Sequence, residues 1–392
     1  MLGKLKLNFM TALLIALAVT LNACGGAAQP AASGGSSGSD ANAGAATGKV
    51  DGQGGQITIL MPSTSNNYLA EWAKGAKEQA ESANYKLKMI ENKFDAAEQD
   101  VQVQQQLASS DNSVAYIWWP ADNKAGVASL RRLINSKVPV FQTNILPADE
   151  MTKEIVAYAG VNDILNGKVS GELLKKARDA SVAMGNKLHS EGGNVIIIKF
   201  VAGYKAGDDR EVGFKEATKD KPFNILASEY SGFDNTSGYN TMSQLIPKFR
   251  DQGIDFVYAN NDALASGIIQ ALKEAGYKPG KDVMVVGGTC HGDISALNAA
   301  EQYGSGLQAA RFEGRFSVDV VARYFANGKK VQDGEYAAPD TPDKQPDVSG
   351  APYKFNFIPN PAVELGTDPA KAAETIKNTK LWGISFTDLC TY

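Results

Sequence analysis

From residue 57 onward, short apolar runs alternate with longer stretches in which apolar positions recur every three or four residues. The first pattern predicts buried strands, the second amphipathic helices. Strands are predicted at 57–61, 85–91, 114–119 and 138–143, with helices at 68–83, 96–109 and 123–136. The Gln-rich helix at 96–109 is expected to turn Val101 and Leu107 inward. A further helix is predicted at 166–183, and the pattern then restarts. Strands at 194–200, 224–230, 256–259 and 282–287 alternate with helices at 210–218, 236–253 and 263–272. Repetition of β and α at this spacing predicts parallel, doubly wound α/β sheets. Two such sets predict two similar lobes, although no close sequence repeat relates them. A helix at 314–327, a Pro/Asp-rich stretch at 333–352, a strand at 353–358 and a helix at 370–378 follow. The aromatic tail is expected to pack on the body.

The stretch 256–276 joins strand, polar turn and helix most compactly. Its helical period stops at Gly276, a residue suited to ending a helix. Asp262 is expected to cap the helix by accepting bonds from its first amides. Asn261 brings a donor and an acceptor to the carboxyl end of a strand, where open α/β sheets bind ligands. The alternative is that Asn260, Asn261 and Asp262 only build the turn.

The chain of 392 residues has room for two domains plus ends, and its 43% hydrophobic and 21% charged content suits a globular protein. A net charge of −4 supplies no basic field for nucleic acid. Residues 1–23 combine Lys4 and Lys6 with an apolar run too short to span a membrane comfortably. That run ends Leu21-Asn22-Ala23-Cys24, which resembles the lipobox of bacterial lipoproteins. The resemblance implies a lipidated Cys24 and a protein exported and tethered to the membrane by lipid. An ordinary secretory signal with a coincidental cysteine is the alternative. Residues 24–55, rich in Gly, Ala and Ser, read as a flexible linker. Cys290 and Cys390 remain; an oxidising compartment would allow them to pair, which would pin the tail beside the 290 loop, but spacing alone leaves the pairing open. The chain has two histidines, His189 and His291, and no metal-ligand spacing around them, so no metal is expected.

Enzyme patterns fail. There is no Gly-x-Ser-x-Gly elbow, no Walker A loop and no dinucleotide glycine pattern after the first strand. His291 has no evident nucleophile or orienting carboxylate in a matching motif. No cofactor is expected. The strand ends carry aromatic and amide residues instead: Asn66 and Tyr68, Trp118-Trp119, Asn144, Arg210, Phe233, Asn261 and Thr289. Such a set suits a sugar. Aromatic rings cover its C–H faces, while amides and guanidinium bond hydroxyls that both donate and accept. Consecutive tryptophans in a strand face opposite ways, so one is core; Trp119, nearer the strand end, is assigned to the site.

These segments resemble, in order, those of ribose/galactose-type sugar-binding proteins of the periplasmic binding protein type I class. The resemblance runs from about residue 57 to 328. It rests on Ser65-Asn-Asn-Tyr68, Trp119-Pro-Ala-Asp122, Val138-Pro-Val140 with Asn144, Asn162-Asp163, Arg210-x-x-Gly213-Phe214, Phe233-Asp234 and Asn261-Asp262. It implies sugar contacts from Asn66, Tyr68, Trp119, Asn144, Arg210, Phe233, Asn261 and Thr289. Gln308 stands where the family has a Gln, with Arg311 as competitor for that place. It also implies two lobes joined by a three-crossover hinge. The N-terminal lobe is then 56–161 with about 310–350, the C-terminal lobe 162–309, and 351–392 an extension packing on the body.

Two acidic positions frequent in the family are replaced, giving Asn144-Ile145 and Gly288-Thr289. This argues against ribose itself and leaves related monosaccharides, polyols and larger glycosides open. The resemblance implies a monomeric, lipid-anchored solute-binding protein that captures a small carbohydrate for the permease of an ABC importer. A sensory protein presenting a sugar or autoinducer to a membrane receptor is the alternative. An exported hydrolase would need paired carboxylates across the cleft. The related LacI-type repressors do not fit the export signal and the absent DNA-binding headpiece.

Overall fold

A computed structural model describes residues 50–340 and 349–390. The signal sequence, Cys24 and the linker up to residue 49 lie outside the described residues. The described chain begins with strand β1 (Gln56–Pro62), helix α1 (Asn67–Ser82), β2 (Lys86–Asn92), α2 (Ala96–Ala108), β3 (Ser113–Trp118), α3 (Val127–Asn135), β4 (Val140–Thr143) and β5 (Ala157–Gly160). A second set follows: α4 (Asp163–Ala183), β6 (Asn194–Lys199), α5 (Lys205–Ala217), β7 (Asn224–Tyr230), α6 (Asn235–Phe249), β8 (Phe256–Ala259), α7 (Asp262–Glu274), β9 (Met284–Gly288), α8 (Ile294–Asn298) and β10 (Gly304–Gly306). The last set is α9 (Ala310–Ala326), β11 (Gln332–Ala337), β12 (Tyr353–Phe357), β13 (Ala362–Glu364), α10 (Pro369–Asn378) and the single-turn α11 (Phe386–Leu389).

The strands form two twisted sheets. The first has the order β11-β12-β5-β4-β3-β1-β2, the second β13-β10-β9-β8-β6-β7. Every pairing within them is parallel except β10 with β13. Strand β6 is Asn-Val-Ile-Ile-Ile-Lys, buried along its whole length. Such β-branched runs suit strands covered by helices on both faces. Among the described residues the chain passes between the sheets at 161–162, 307–309 and 358–361. These passages are tied to one another and to the sheets: the Leu307 amide donates to the Pro361 carbonyl, and Ile358 to Gly160.

Several sequence expectations need correction. Val101 faces solvent, 52% exposed, while Val103 is buried, with Gln99 and Gln106 on the same inner face. Two buried amides on that face disguised its direction. α3 starts at Val127, because Asp122 accepts from the Lys124 and Ala125 amides and holds a turn there. Asp262 is not the cap of α7; Asn261 is, accepting from the Leu264 amide. Gly276 lies just past the end of α7 with φ +91°, as its place in the pattern suggested. The segment after 351 is not simply laid on the body. Strand β12 inserts between β11 and β5 of the first sheet, and β13 closes an edge of the second. β5, β10 and β11, which read Ala-Tyr-Ala-Gly, Gly-Ser-Gly and Gln-Asp-Gly-Glu-Tyr-Ala, lack a strong β pattern and were not foreseen.

Beyond β13 the tail buries Ile376, Leu381, Trp382, Phe386 and Leu389 in one cluster with Leu297, Leu307 and Ala338. Cys390 is disulfide-bonded to Cys290. The Trp382 ring also lies against Phe312 of α9.

The helix pairs that flank the cleft approach closely at glycines. A Cβ on Gly213 would sit 1.9 Å from the Ile164 carbonyl oxygen, and one on Gly167 2.0 Å from that of Arg210. Between α1 and α9, Gly75 and Gly314 meet Arg311 and Trp72 backbone at 1.9 Å in the same way. A side chain at either crossing would force the helices apart.

Two predictions follow from this packing. Gly213→Ala will destabilise the protein by about 1–3 kcal/mol through overpacking, read as a lower denaturant midpoint. Replacing both Cys290 and Cys390 by serine will cost about 2–5 kcal/mol, read by the same measurement under non-reducing conditions.

Candidate functional site

The carboxyl ends of both sheets face a cleft of about 1010 Å³. All nine residues singled out from the sequence line it: Asn66, Tyr68, Trp119, Asn144, Arg210, Phe233, Asn261, Thr289 and Gln308. Trp118 instead packs in the core with Leu60, Leu130 and Tyr158, on the other face of β3. Arg311 faces away from the cleft and pairs with Glu78 of α1, so Gln308 alone occupies the position for which the two competed.

The polar groups are held by the elements they begin or end. Asn66 caps α1 by accepting from the Tyr68 amide at 2.8 Å. Asn261 caps α7, and its Nδ2 donates to the Phe233 carbonyl at 2.9 Å. Each cap keeps part of its amide capacity, since the side chain has two N–H donors and two lone pairs. Thr289 and Cys290 follow β9 with φ of +116° and +65°. The disulfide at Cys290 therefore anchors a backbone-strained loop that carries Thr289 and His291 into the cleft.

Arg210 is buried, with 2% of its surface exposed, and pairs with the equally buried Asp163 through Nε at 2.8 Å. Its other two nitrogens donate to the Asn260 carbonyl and to Gln308 Oε1. Because Gln308 spends its carbonyl on Arg210, its amide nitrogen is the group left for another partner. The Arg210 guanidinium also lies over the Phe200 ring, 4.9 Å from its centroid, a favourable cation–π placement.

Aromatic rings from both sides surround these groups. Phe94, after β2, stacks on Phe233, after β7, with centroids 4.6 Å apart. Tyr204 stands edge-on to Phe233 at 5.0 Å. Tyr68 stands edge-on to His291 at 5.1 Å, across the cleft. A hydrogen-bond chain also spans it. Trp119 Nε1 donates to the Tyr204 hydroxyl at 3.1 Å, and Tyr204 donates to Asn144 Oδ1 at 2.8 Å. Asn144 Nδ2 donates to Glu313 at 3.1 and 3.2 Å, and Tyr68 donates to Glu313 Oε2 at 2.7 Å.

Tyr204, Phe94, His291 and Glu313 were not assigned to the site from the sequence. Tyr204 follows β6 in a strand-end loop, where a lone aromatic residue carries a weaker signal than the charged Asp209-Arg210 pair just beyond it. Asp209 is taken up by Lys205. Glu313 sits in the first turn of α9. The sequence-predicted helix began at Gly314, one residue too late to show a carboxylate on its inner face.

Burial pushes the Glu313 carboxyl up to about 8; the bonds from Tyr68 and Asn144 oppose the shift, Asp163 adds to it and Arg210 opposes it. Asp262 is pushed up to about 6, again by burial first, against bonds from Ser305 and Gln302. Among the described residues no group of His, Cys, Asp and Glu has the arrangement of a metal site. The arrangement suits a neutral, hydroxyl-rich ligand: stacked apolar rings, amides with capacity to spare, and a cation already compensated by Asp163.

Residues 57–330 match the family described as periplasmic binding protein domain. Over 278 residues the chain is 29% identical to the ribose import binding protein RbsB of Salmonella typhimurium, an alignment covering 70% of this chain and 86% of that protein. It is 32% identical over 161 residues to the galactofuranose-binding protein YtfQ of Escherichia coli, covering 40% of this chain and 46% of that one. A crystal structure of a galactofuranose binding protein superimposes with a TM-score of 0.67 at 22% identity, over 82% of this chain and 97% of that chain. At that identity the likeness establishes a shared fold.

The raised carboxyls set a pH dependence of stability. Both have folded pKa values above those of the unfolded chain, 3.8 for Asp262 and 4.5 for Glu313. The folded state holds these protons longer, so the stabilisation is complete at low pH and is lost as pH rises. Asp262→Asn is expected to remove the part lost between about pH 4 and 6, measured as the denaturant midpoint across that range. An unchanged profile in the variant would contradict the assignment.

Proposed function

We propose a capture role for this chain, which belongs to the periplasmic binding protein family: it binds a neutral monosaccharide or related small carbohydrate and delivers it to an ABC permease. The observation that carries this reading is the cleft itself. Rings from both lobes enclose amide, hydroxyl and guanidinium groups whose directions are already fixed by bonds within the protein. Preorganisation of this kind lowers the ordering cost of binding a small polar ligand. The relatives named for ribose import and galactofuranose binding support a sugar. Asn144 and Thr289, at positions where family members often carry acidic residues, favour a sugar other than ribose.

The mechanism is a shift of population. The lobes meet through the Phe94–Phe233 stack and the Trp119–Tyr204–Asn144 chain. A ligand contacted from both sides stabilises this closed arrangement relative to an open one. The permease would then read closure. No bond is made or broken, and no cofactor is used. We further propose export under the direction of residues 1–23, a lipid anchor on Cys24, a spacer over 24–55 and action as a monomer. The lobes are proposed to comprise 56–161 with about 310–357, and 162–309 with β13; the first extends past the boundary near 350 expected from the sequence because β12 belongs to its sheet.

Titration of the protein with free pentoses, hexoses, polyols, amino acids and nucleosides, followed by melting temperature, tests the ligand class. One or a few sugars are expected to raise it. Trp119→Ala is expected to weaken the same sugar by about 1–3 kcal/mol, roughly 5- to 150-fold. Trp119 is preferable to Arg210 as the test because Arg210→Ala would strand Asp163 as a buried unpaired charge, itself costing about 3–5 kcal/mol. A response to nucleosides or amino acids alone would overturn the sugar assignment.

A further inference from the structure

Glu313 is a buried acid beside the cleft that the capture mechanism above leaves without a role. It has 0% of its surface exposed. No ion pair found among the described residues includes it. Its side-chain bonds come from two cleft-lining residues, Tyr68 on α1 and Asn144 after β4. Tyr158 of β5 faces it as well, while Asp163 of α4 and Arg210 of α5 act on it from the second lobe with opposite signs. Within α9 its own carbonyl accepts from Ser317. His291 stands edge-on to the Tyr68 ring.

The geometry makes the carboxyl a director of bonds. An ionised carboxylate only accepts, whereas a protonated one also donates. With Glu313 ionised, the single hydrogen of Tyr68 must point inward and the hydroxyl shows only lone pairs to the cleft. With Glu313 protonated, the acid can donate to Tyr68, and the Tyr68 hydrogen is released toward the cleft. Asn144 is directed in turn. Its nitrogen is held by Glu313, so its oxygen faces Tyr204, which accepts from Trp119. One carboxyl thus orients four side chains that line the site, on both lobes.

We propose that Glu313 is a positioning residue that sets the direction of the Tyr68 and Asn144 bonds, and that closure over a sugar is accompanied by uptake of a proton at this carboxyl. The proposal rests on the sugar-capture reading. A sugar seated against Tyr68 and Asn144 removes the water that screens the carboxylate behind them, which favours the neutral form. The neutral form then turns the Tyr68 hydrogen toward a hydroxyl of the ligand. Burial already places the group near neutrality, with a pKa of about 8, so both forms are accessible where binding is measured. Proton uptake means that affinity falls as pH rises through that range.

Isothermal titration of the full-length protein tests this, using D-allose, D-galactose, L-arabinose, D-fructose and myo-inositol as probes. For the probe that binds most tightly, the titration is repeated in buffers of different ionisation enthalpy at pH 8, and affinity is followed from pH 7 to 9. The wild type is expected to take up a fraction of a proton and to lose several-fold in affinity across that range. Glu313→Gln, which keeps the size and an acceptor, is expected to bind with neither proton uptake nor this pH dependence. The buffer experiment on the wild type needs no variant, so a folding defect in Glu313→Gln does not decide the result. Sugar binding without proton uptake, or with the same pH dependence in Glu313→Gln, would overturn the Glu313 proposal and leave sugar capture standing. No binding of any probe, together with binding of a nucleoside or amino acid, would overturn both.

Discussion

The buried guanidinium of Arg210 is the fixed point around which the cleft is built. A cation removed from water must be compensated where it stands. Here the compensation comes from Asp163 at the start of α4, the Asn260 carbonyl at the end of β8, and Gln308 at a passage between the sheets. Satisfying one charge therefore ties a helix terminus, a strand end and a hinge to one another. The close approach of α4 and α5 at Gly167 and Gly213 allows that geometry, because a Cβ at either place would meet backbone of the facing helix. What Arg210 offers a ligand is what remains of its five N–H donors after these three bonds.

The opposite wall is organised by a buried carboxyl group. Glu313 receives Tyr68 and Asn144 and, through Asn144, directs Tyr204 and Trp119. A paired cation on one side and, on the other, a carboxyl with no ion-pair partner among the described residues make the site electrically asymmetric, while its aromatic lining is shared by both lobes. The tail adds a third constraint. Its cluster around Trp382 touches the hinge at Leu307, α9 at Phe312 and, through the disulfide, the loop that bears Thr289 and His291. Hinge, cleft loop and C-terminal segment are thus packed as one body.

Much of this was legible in the sequence wherever a residue's role follows from local pattern. β6 and β8 could be read from their apolar runs, and Asn66, Trp119 and Asn261 from their places at strand ends. The reading failed where the role is set by distant partners. β10 is Gly-Ser-Gly and becomes a strand only because β9 and β13 flank it. Glu313 is inward-facing only because α9 packs on α1 through Gly314 and Gly75. Asp262 resembled a cap, but Gln302 and Ser305, some forty residues on in the chain, draw its carboxylate inward and leave Asn261 to cap α7. Val101 shows the converse error: an apolar residue was given the inner face that Gln99 and Gln106 occupy.

The central claim is that a sugar is held between the lobes against Trp119. The most direct measurement is tryptophan fluorescence of the full-length protein during titration with a neutral sugar that raises its melting temperature. Trp119 is the tryptophan that lines the cleft among the described residues, and a ligand seated on it changes its surroundings. The account predicts a saturable change in emission that disappears in Trp119→Phe while the variant retains its fold. A saturable change that persists undiminished in Trp119→Phe would place the ligand elsewhere and contradict the account.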